Sequence, residues 1–184
     1  MTHPSPSEPF VEETIARYIR EVPGFPQPGI SFKDITPLIE NGAAFHTAVD
    51  SMAHTTEDID YALILSAEAR GFVFGTALAY RARKGLILAR KPNKLPRQTI
   101  SAAYDLEYGQ NTLEIHNDAV SEGVRVLIVD DLLATGGAAR AMCQLVENAG
   151  GTVAGVAFLL ELQFLNGRER LAPYTVTSII SYKD

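Results

Sequence analysis

Five short, mainly apolar runs, residues 61–65, 86–89, 124–129, 153–160 and 176–180, constrain this 184-residue chain more than any other feature. Runs of that length that do not alternate with polar residues suit strands covered on both faces, as in a parallel sheet. Helical patterns separate them. Residues 72–83 read as a helix, and within 138–149 Ala138, Met142, Leu145, Val146 and Ala149 recur at helical spacing, with Cys143 expected as a small packed residue of the same helix. Strand, helix, strand in succession predicts an α/β fold with a central, mainly parallel sheet flanked by helices. The length fits one domain with a sizeable core.

Three segments stand outside the alternation. Val11, Ile15, Ile19 and Val22 predict an N-terminal helix, capped by Ser7 and ended by Pro23-Gly24. Residues 25–37 carry three prolines and a glycine among Phe25, Ile30, Phe32 and Ile35, which predicts an irregular but packed path, and a second helix follows over 43–54. Residues 99–104 and 112–115 predict a hairpin turning around Glu107-Tyr108-Gly109-Gln110.

The net charge of -6 argues against a general nucleic-acid binder, yet residues 81–97 hold seven of the sixteen cations and no acid. No apolar run reaches the roughly 18 residues of a membrane span, and the polar, proline-rich start lacks the pattern of a leader peptide. The single cysteine excludes an internal disulfide, and His3, His46, His54 and His116 have no spacing that brings two together on a metal. A cytoplasmic protein with neither nucleic-acid nor membrane partners is expected.

The most informative unit is Val126-Leu127-Ile128-Val129-Asp130-Asp131-Leu132-Leu133-Ala134-Thr135-Gly136-Gly137-Ala138. A buried strand runs into two acids, then a loop of small residues, then a helix. The loop falls where α/β sheets place their ligands, and the main-chain N–H groups of Ala134, Thr135, Gly136, Gly137 and Ala138 can converge on a phosphate at the helix N-terminus. Without Gly-Lys-Ser/Thr or GxGxxG spacing it is neither a P-loop nor a dinucleotide fingerprint. Acids beside a phosphate cradle call for a ligand that brings hydroxyls, or a divalent cation, next to its phosphate. A sugar phosphate does both. The plain alternative is that Asp130 and Asp131 cap the next helix and the glycines only make a turn.

This unit resembles the phosphoribosyl-pyrophosphate signature of the type I phosphoribosyltransferases. Glu68-Ala69-Arg70-Gly71-Phe72, Arg90-Lys91-Pro92-Asn93-Lys94, the Leu106-Glu107-Tyr108-Gly109 turn, Phe25 to Pro37 and Asn166-Gly167-Arg168-Glu169 are similar to the adenine branch of that family. The resemblance implies a single type I phosphoribosyltransferase domain over residues 1–184, with a small N-terminal helix and hood at 1–40 and a flexible hairpin flap at 96–116. It implies transfer of a phosphoribosyl group from phosphoribosyl pyrophosphate to adenine, in purine salvage. Asp130 and Asp131 hold the ribose hydroxyls, and residues 134–138 hold the 5′-phosphate. Arg70, Arg90, Lys91 and Lys94 hold pyrophosphate. Ile30, Ser31, Phe32, Lys33 and Leu162 hold adenine, with Ser31 and Lys33 departing from the family pattern in a way that shifts their contacts toward the main chain. The resemblance further implies Glu107 as the catalytic proton acceptor. The implied cofactor is Mg²⁺, carried mainly on substrate oxygens with no protein metal site, and the implied assembly is a homodimer. On the residues alone, Arg70 as a surface ion-pair residue, the cation loop as solvated, Glu107 as an ordinary turn residue and residues 30–33 as core packing all stay open. So do two other functions, a donor-sensing regulator without catalysis and a transferase for another base.

Overall fold

The computed structural model describes residues 8–105 and 110–183, which form two compact units, Met1–Ser51 and Met52–Asp184. In the first, helix α1 (Glu8–Ala16) is followed by strands β1 (Arg20–Pro23) and β2 (Ser31–Asp34), helix α2 (Thr36–Glu40) and the start of α3 (Gly42–Thr55). The predicted N-terminal helix therefore stops early. Ile19 and Val22 keep its spacing, but β1 pairs antiparallel with β2 and puts Val22 opposite Phe32. Two glycines make the return possible. Gly24 and Gly29 take φ of +76° and +92°, and the Gly24 N–H donates to Ile30 O at 2.7 Å. Asp34 then accepts the Thr36 N–H and Asn41 the Ala44 N–H, turning the chain into α2 and α3.

The second unit continues with β3 (Leu63–Ala67), α4 (Gly71–Ala82), β4 (Gly85–Ala89), β5 (Thr99–Asp105), β6 (Gln110–His116), β7 (Arg125–Leu133), α5 (Gly137–Asn148) and β8 (Thr152–Leu162). Two 3-10 turns, Gln163–Leu165 and Gly167–Leu171, lead to β9 (Val176–Tyr182). Five strands form the expected sheet in the order β4-β3-β7-β8-β9, with every pair parallel. Strand residues alternate between two covered faces. Leu65, Ala67, Ile128 and Phe158 share a core cluster with Met142, Cys143, Leu145 and Val146 of α5. Ser66, on the other face, meets α4 where only a glycine fits, because a Cβ on Gly75 would overlap its hydroxyl. Burial pushes the Cys143 thiol up to about 12, consistent with a packed, unreactive residue.

β5 and β6 pair as the predicted hairpin. Its stem is part of the core, since Ala102, Leu113 and Ile115 are buried in the same cluster as α5. The turn between the strands, residues 106–109, lies outside the described residues. None of the helices among the described residues is long and apolar enough to cross a membrane.

Candidate active site

The sheet order fixes where a ligand can enter. From β3 the chain crosses through α4 to β4 on one side, and from β7 it crosses through α5 to β8 on the other, while β3 and β7 lie side by side. Neighbouring strands whose connections diverge leave a crevice at their carboxyl ends. Residues 68–70 and the Asp130-Asp131 pair come from those two strand ends.

The acids do not follow the strand, as their polarity suggests, but belong to it. β7 runs on to Leu133 because its longer neighbour β8 continues the ladder, Asp130 opposite Phe158 and Leu133 opposite Glu161. Asp131 is buried and its Oδ2 lies 3.0 Å from Nε of Arg70, so residues assigned to ribose and to pyrophosphate form one ion pair. Asp130 is half-buried, accepts the Asp131 N–H at 3.0 Å and stands against the first residue of α4, where a Cβ on Gly71 would overlap its Oδ1. Burial, and then the charge of Asp131, raises the Asp130 carboxyl well above the ordinary range. Burial also raises Asp131, with Arg70 opposing it. Two crowded carboxylates of this kind repel one another and favour hydroxyl donors or positive charge beside them.

The loop expected to cradle a phosphate follows directly. Gly136, at the N-cap of α5, has φ +80°, and the first α-helical bond runs from the Arg140 N–H to Gly136 O at 2.9 Å. The N–H groups of the first turn are thereby left without helical partners and point at the loop. The back of the cradle is Gly167. A Cβ on Gly136 would sit 2.5 Å from Gly167 O, and one on Gly167 would overlap Ala134 O.

The cation loop is held by two acids. The Glu68 carboxylate accepts the Lys91 N–H and faces Nη2 of Arg90 at 3.4 Å. The Lys91 N–H bond, opposed by burial and helped by Arg90, holds the Glu68 carboxyl below its ordinary range. Arg90 and Glu114 exchange main-chain bonds of 2.9 and 2.7 Å, and the Glu114 carboxylate accepts the Asn93 N–H at 3.3 Å. This loop is thus tied to the hairpin stem, while Lys91 and Lys94 are exposed. Glu68 was visible in sequence only as the start of its motif, and Glu114 carried no sequence signal, because its role depends on β4 meeting β6.

Of the residues assigned to adenine, Ser31, Phe32 and Lys33 lie on β2, with Ile30 just before it. Lys33 is buried and donates to Glu21 at 2.9 Å, Ser31 also donates to Glu21, and Phe32 packs edge-on against Phe25 with ring centroids 5.1 Å apart. Leu162 is the last residue of β8, at the same end of the sheet as the acids. Glu107 lies outside the described residues.

A parallel sheet with an acid pair and a Thr-Gly-Gly cradle at its switch point is the architecture of a phosphoribosyl-handling enzyme, and the phosphoribosyl transferase domain model matches residues 39–183. The adenine phosphoribosyltransferase of Rubrobacter xylanophilus is 62% identical over 173 residues, 94% of this chain and 94% of that protein. The crystal structure of the Thermoanaerobacter pseudethanolicus adenine phosphoribosyltransferase superposes with a TM-score of 0.91 at 51% identity, covering 93% of this chain and 99% of that one. The Saccharomyces cerevisiae enzyme, solved with adenine and an imino-altritol bisphosphate, superposes with a TM-score of 0.87 at 33% identity over 93% of this chain and 99% of its own. The chain belongs to the phosphoribosyltransferase family and, within it, to the adenine phosphoribosyltransferases.

Proposed function

We propose that this protein transfers the 5-phosphoribosyl group of phosphoribosyl pyrophosphate to adenine, forming AMP and releasing pyrophosphate, as one cytoplasmic phosphoribosyltransferase domain acting in purine salvage. The observation that carries the reading is the run of Asp130 and Asp131 straight into the Gly136-Gly137 cradle at the N-terminus of α5. Adenine N9 attacks C1′, the bond from C1′ to the pyrophosphate oxygen breaks with its electron pair leaving on pyrophosphate, and the purine proton passes to Glu107. The transition state is cation-like at C1′, so the chain's work is alignment and stabilisation of the leaving group. Residues 134–138 hold the 5′-phosphate, Asp130 and Asp131 accept hydrogen bonds from the ribose hydroxyls, and Arg70, Arg90, Lys91 and Lys94 face the departing charge. Adenine is assigned to Ile30, Ser31, Phe32, Lys33 and Leu162. The Lys33 ammonium is paired with Glu21 at 2.9 Å.

Mg²⁺ fits as an ion that arrives on the donor. Mg²⁺ commonly keeps its waters and takes substrate phosphates beside one or two carboxylates. Asp130 and Asp131 directly precede the cradle in the chain and would be the carboxylates to take that part. When bound, the ion neutralises pyrophosphate charge. A homodimer is part of the same reading; sedimentation equilibrium should give twice the 20.0 kDa chain mass.

AMP formation measured with adenine against hypoxanthine, guanine and orotate tests the assignment. Adenine is expected to be preferred by at least about 100-fold in kcat/KM, because a base site that pairs polar edges rejects analogues strongly. Equal or better use of another base overturns it, and donor binding without turnover identifies a sensor instead. In the same assay Glu107→Ala should lower kcat by about 100-fold or more with little change in donor KM. An unchanged kcat removes Glu107 from the chemistry.

A further inference from the structure

Between the end of β8 and the start of β9 lies a cluster that the proposed chemistry leaves unused. The side chain of Glu161 is only 4% exposed. Its Oε1 accepts from Arg168 Nε at 2.6 Å, and its Oε2 from Arg168 Nη2 at 2.6 Å and from the Ser178 hydroxyl at 2.7 Å. Arg168 Nη1 also donates to Val176 O at 2.9 Å, and Nη2 to Ser178 Oγ at 3.0 Å. Burial alone would raise the Glu161 carboxyl; the bonds from Arg168 and Ser178 more than reverse this and hold it below its ordinary range.

A buried ion pair contributes little net stability compared with well-packed apolar residues, but its forked geometry fixes position. What this pair fixes is adjacent to the cradle on both ends. Glu161 is the ladder partner of Leu133, the residue from which the cradle departs. Arg168 directly follows Gly167, whose main chain backs against Ala134 and Gly136. We infer that Glu161, Arg168 and Ser178 form a positioning clamp for the 5′-phosphate cradle, acting through the main chain of Gly167. Substrate need not touch any of the three. Without the clamp, Gly167 is free to move away from Gly136, and the first-turn N–H groups of α5 lose their common aim.

The inference rests on the phosphoribosyl reading, and the test separates the two. Ribose 5-phosphate and inorganic pyrophosphate are titrated calorimetrically, each alone, into the full chain and into Arg168→Lys and Ser178→Ala. Arg168→Lys keeps a cation against Glu161 but removes the fork; Ser178→Ala removes one arm and leaves the pair intact. Arg168→Lys should weaken ribose 5-phosphate about 10-fold, as expected for a binding group displaced by a fraction of an ångström, and Ser178→Ala should weaken it less. Pyrophosphate should stay within twofold in both, and in turnover the donor KM should rise more than kcat falls. Unchanged ribose 5-phosphate affinity in both variants overturns the clamp, and so does an equal loss of both ligands, which marks general destabilisation. If Arg168→Lys fails to fold, the ligand ratio for Ser178→Ala decides on the same criteria. Failure of the unaltered protein to bind either ligand overturns the phosphoribosyl reading itself.

Discussion

Gly136→Ala should lower kcat/KM for the phosphoribosyl donor by about 100-fold, mostly through KM, while costing the fold only about 1–3 kcal/mol. Two independent effects act at this residue. Its φ of +80° is a left-handed conformation that an L side chain adopts only with strain. The new methyl would also stand 2.5 Å from Gly167 O, with the Gly167 carbonyl carbon at 3.2 Å and its Cα at 3.3 Å. All three are main-chain atoms, so no side-chain rotation relieves the clash, and either the cradle or the turn behind it has to move. On the proposed reading several N–H groups hold a phosphate here together, so a shift of the loop weakens all of them at once. Steady-state kinetics with donor varied, together with a melting curve, checks the result. A donor KM within twofold of the unaltered protein would remove this loop from phosphate binding.

The parts of the fold that could be read from the chain are those where burial writes a periodic pattern. β3 and β8, inside the sheet, are apolar because both faces are covered, and α5 shows its packed stripe within one residue of its observed Gly137–Asn148 span. β1 shows how the same logic fails. At four residues and largely exposed, it has no alternation of its own, and it exists because Val22 meets Phe32 ten positions on. Helical spacing continued through Ile19 and Val22, but pairing with β2 outweighed it. The acids at the end of β7 illustrate a different limit. Polarity ends an apolar run in sequence, whereas the ladder to β8 carries the strand three residues beyond Asp130. Candidate site residues are legible where they cluster along the chain, as in the cradle and the Arg90 loop. The ion pairs were not, because Arg70 with Asp131 and Arg168 with Glu161 are set by which strand ends the topology brings together.

Asp130→Asn is expected to separate activity from stability in opposite directions. In the folded chain the Asp130 carboxyl is raised well above its ordinary range, by burial first and by the neighbouring charge of Asp131 second. The unfolded chain releases that proton near pH 3.9. Between that pH and the higher folded value the folded state binds more protons than the unfolded one, so stability falls as pH rises through the window and stays lowered above it. Asparagine cannot ionise and keeps an oxygen to accept the Asp131 N–H, now made at 3.0 Å. The variant should therefore melt a few degrees higher than the unaltered protein at neutral pH, at about 2–4 °C per kcal/mol for a chain of this size, and the advantage should vanish below about pH 4. Turnover should change the other way. A hydrogen bond from a ribose hydroxyl to a charged acceptor contributes about 1.5–3 kcal/mol, so its loss should reduce kcat/KM by about 10- to 100-fold. Melting curves from pH 4 to 8, paired with AMP formation at neutral pH, measure both. A variant that is less stable at neutral pH contradicts the repulsive carboxylate pair, and full activity contradicts the ribose contact. If both expectations hold, the crowded acids cost the fold stability and are kept for the ribose contact.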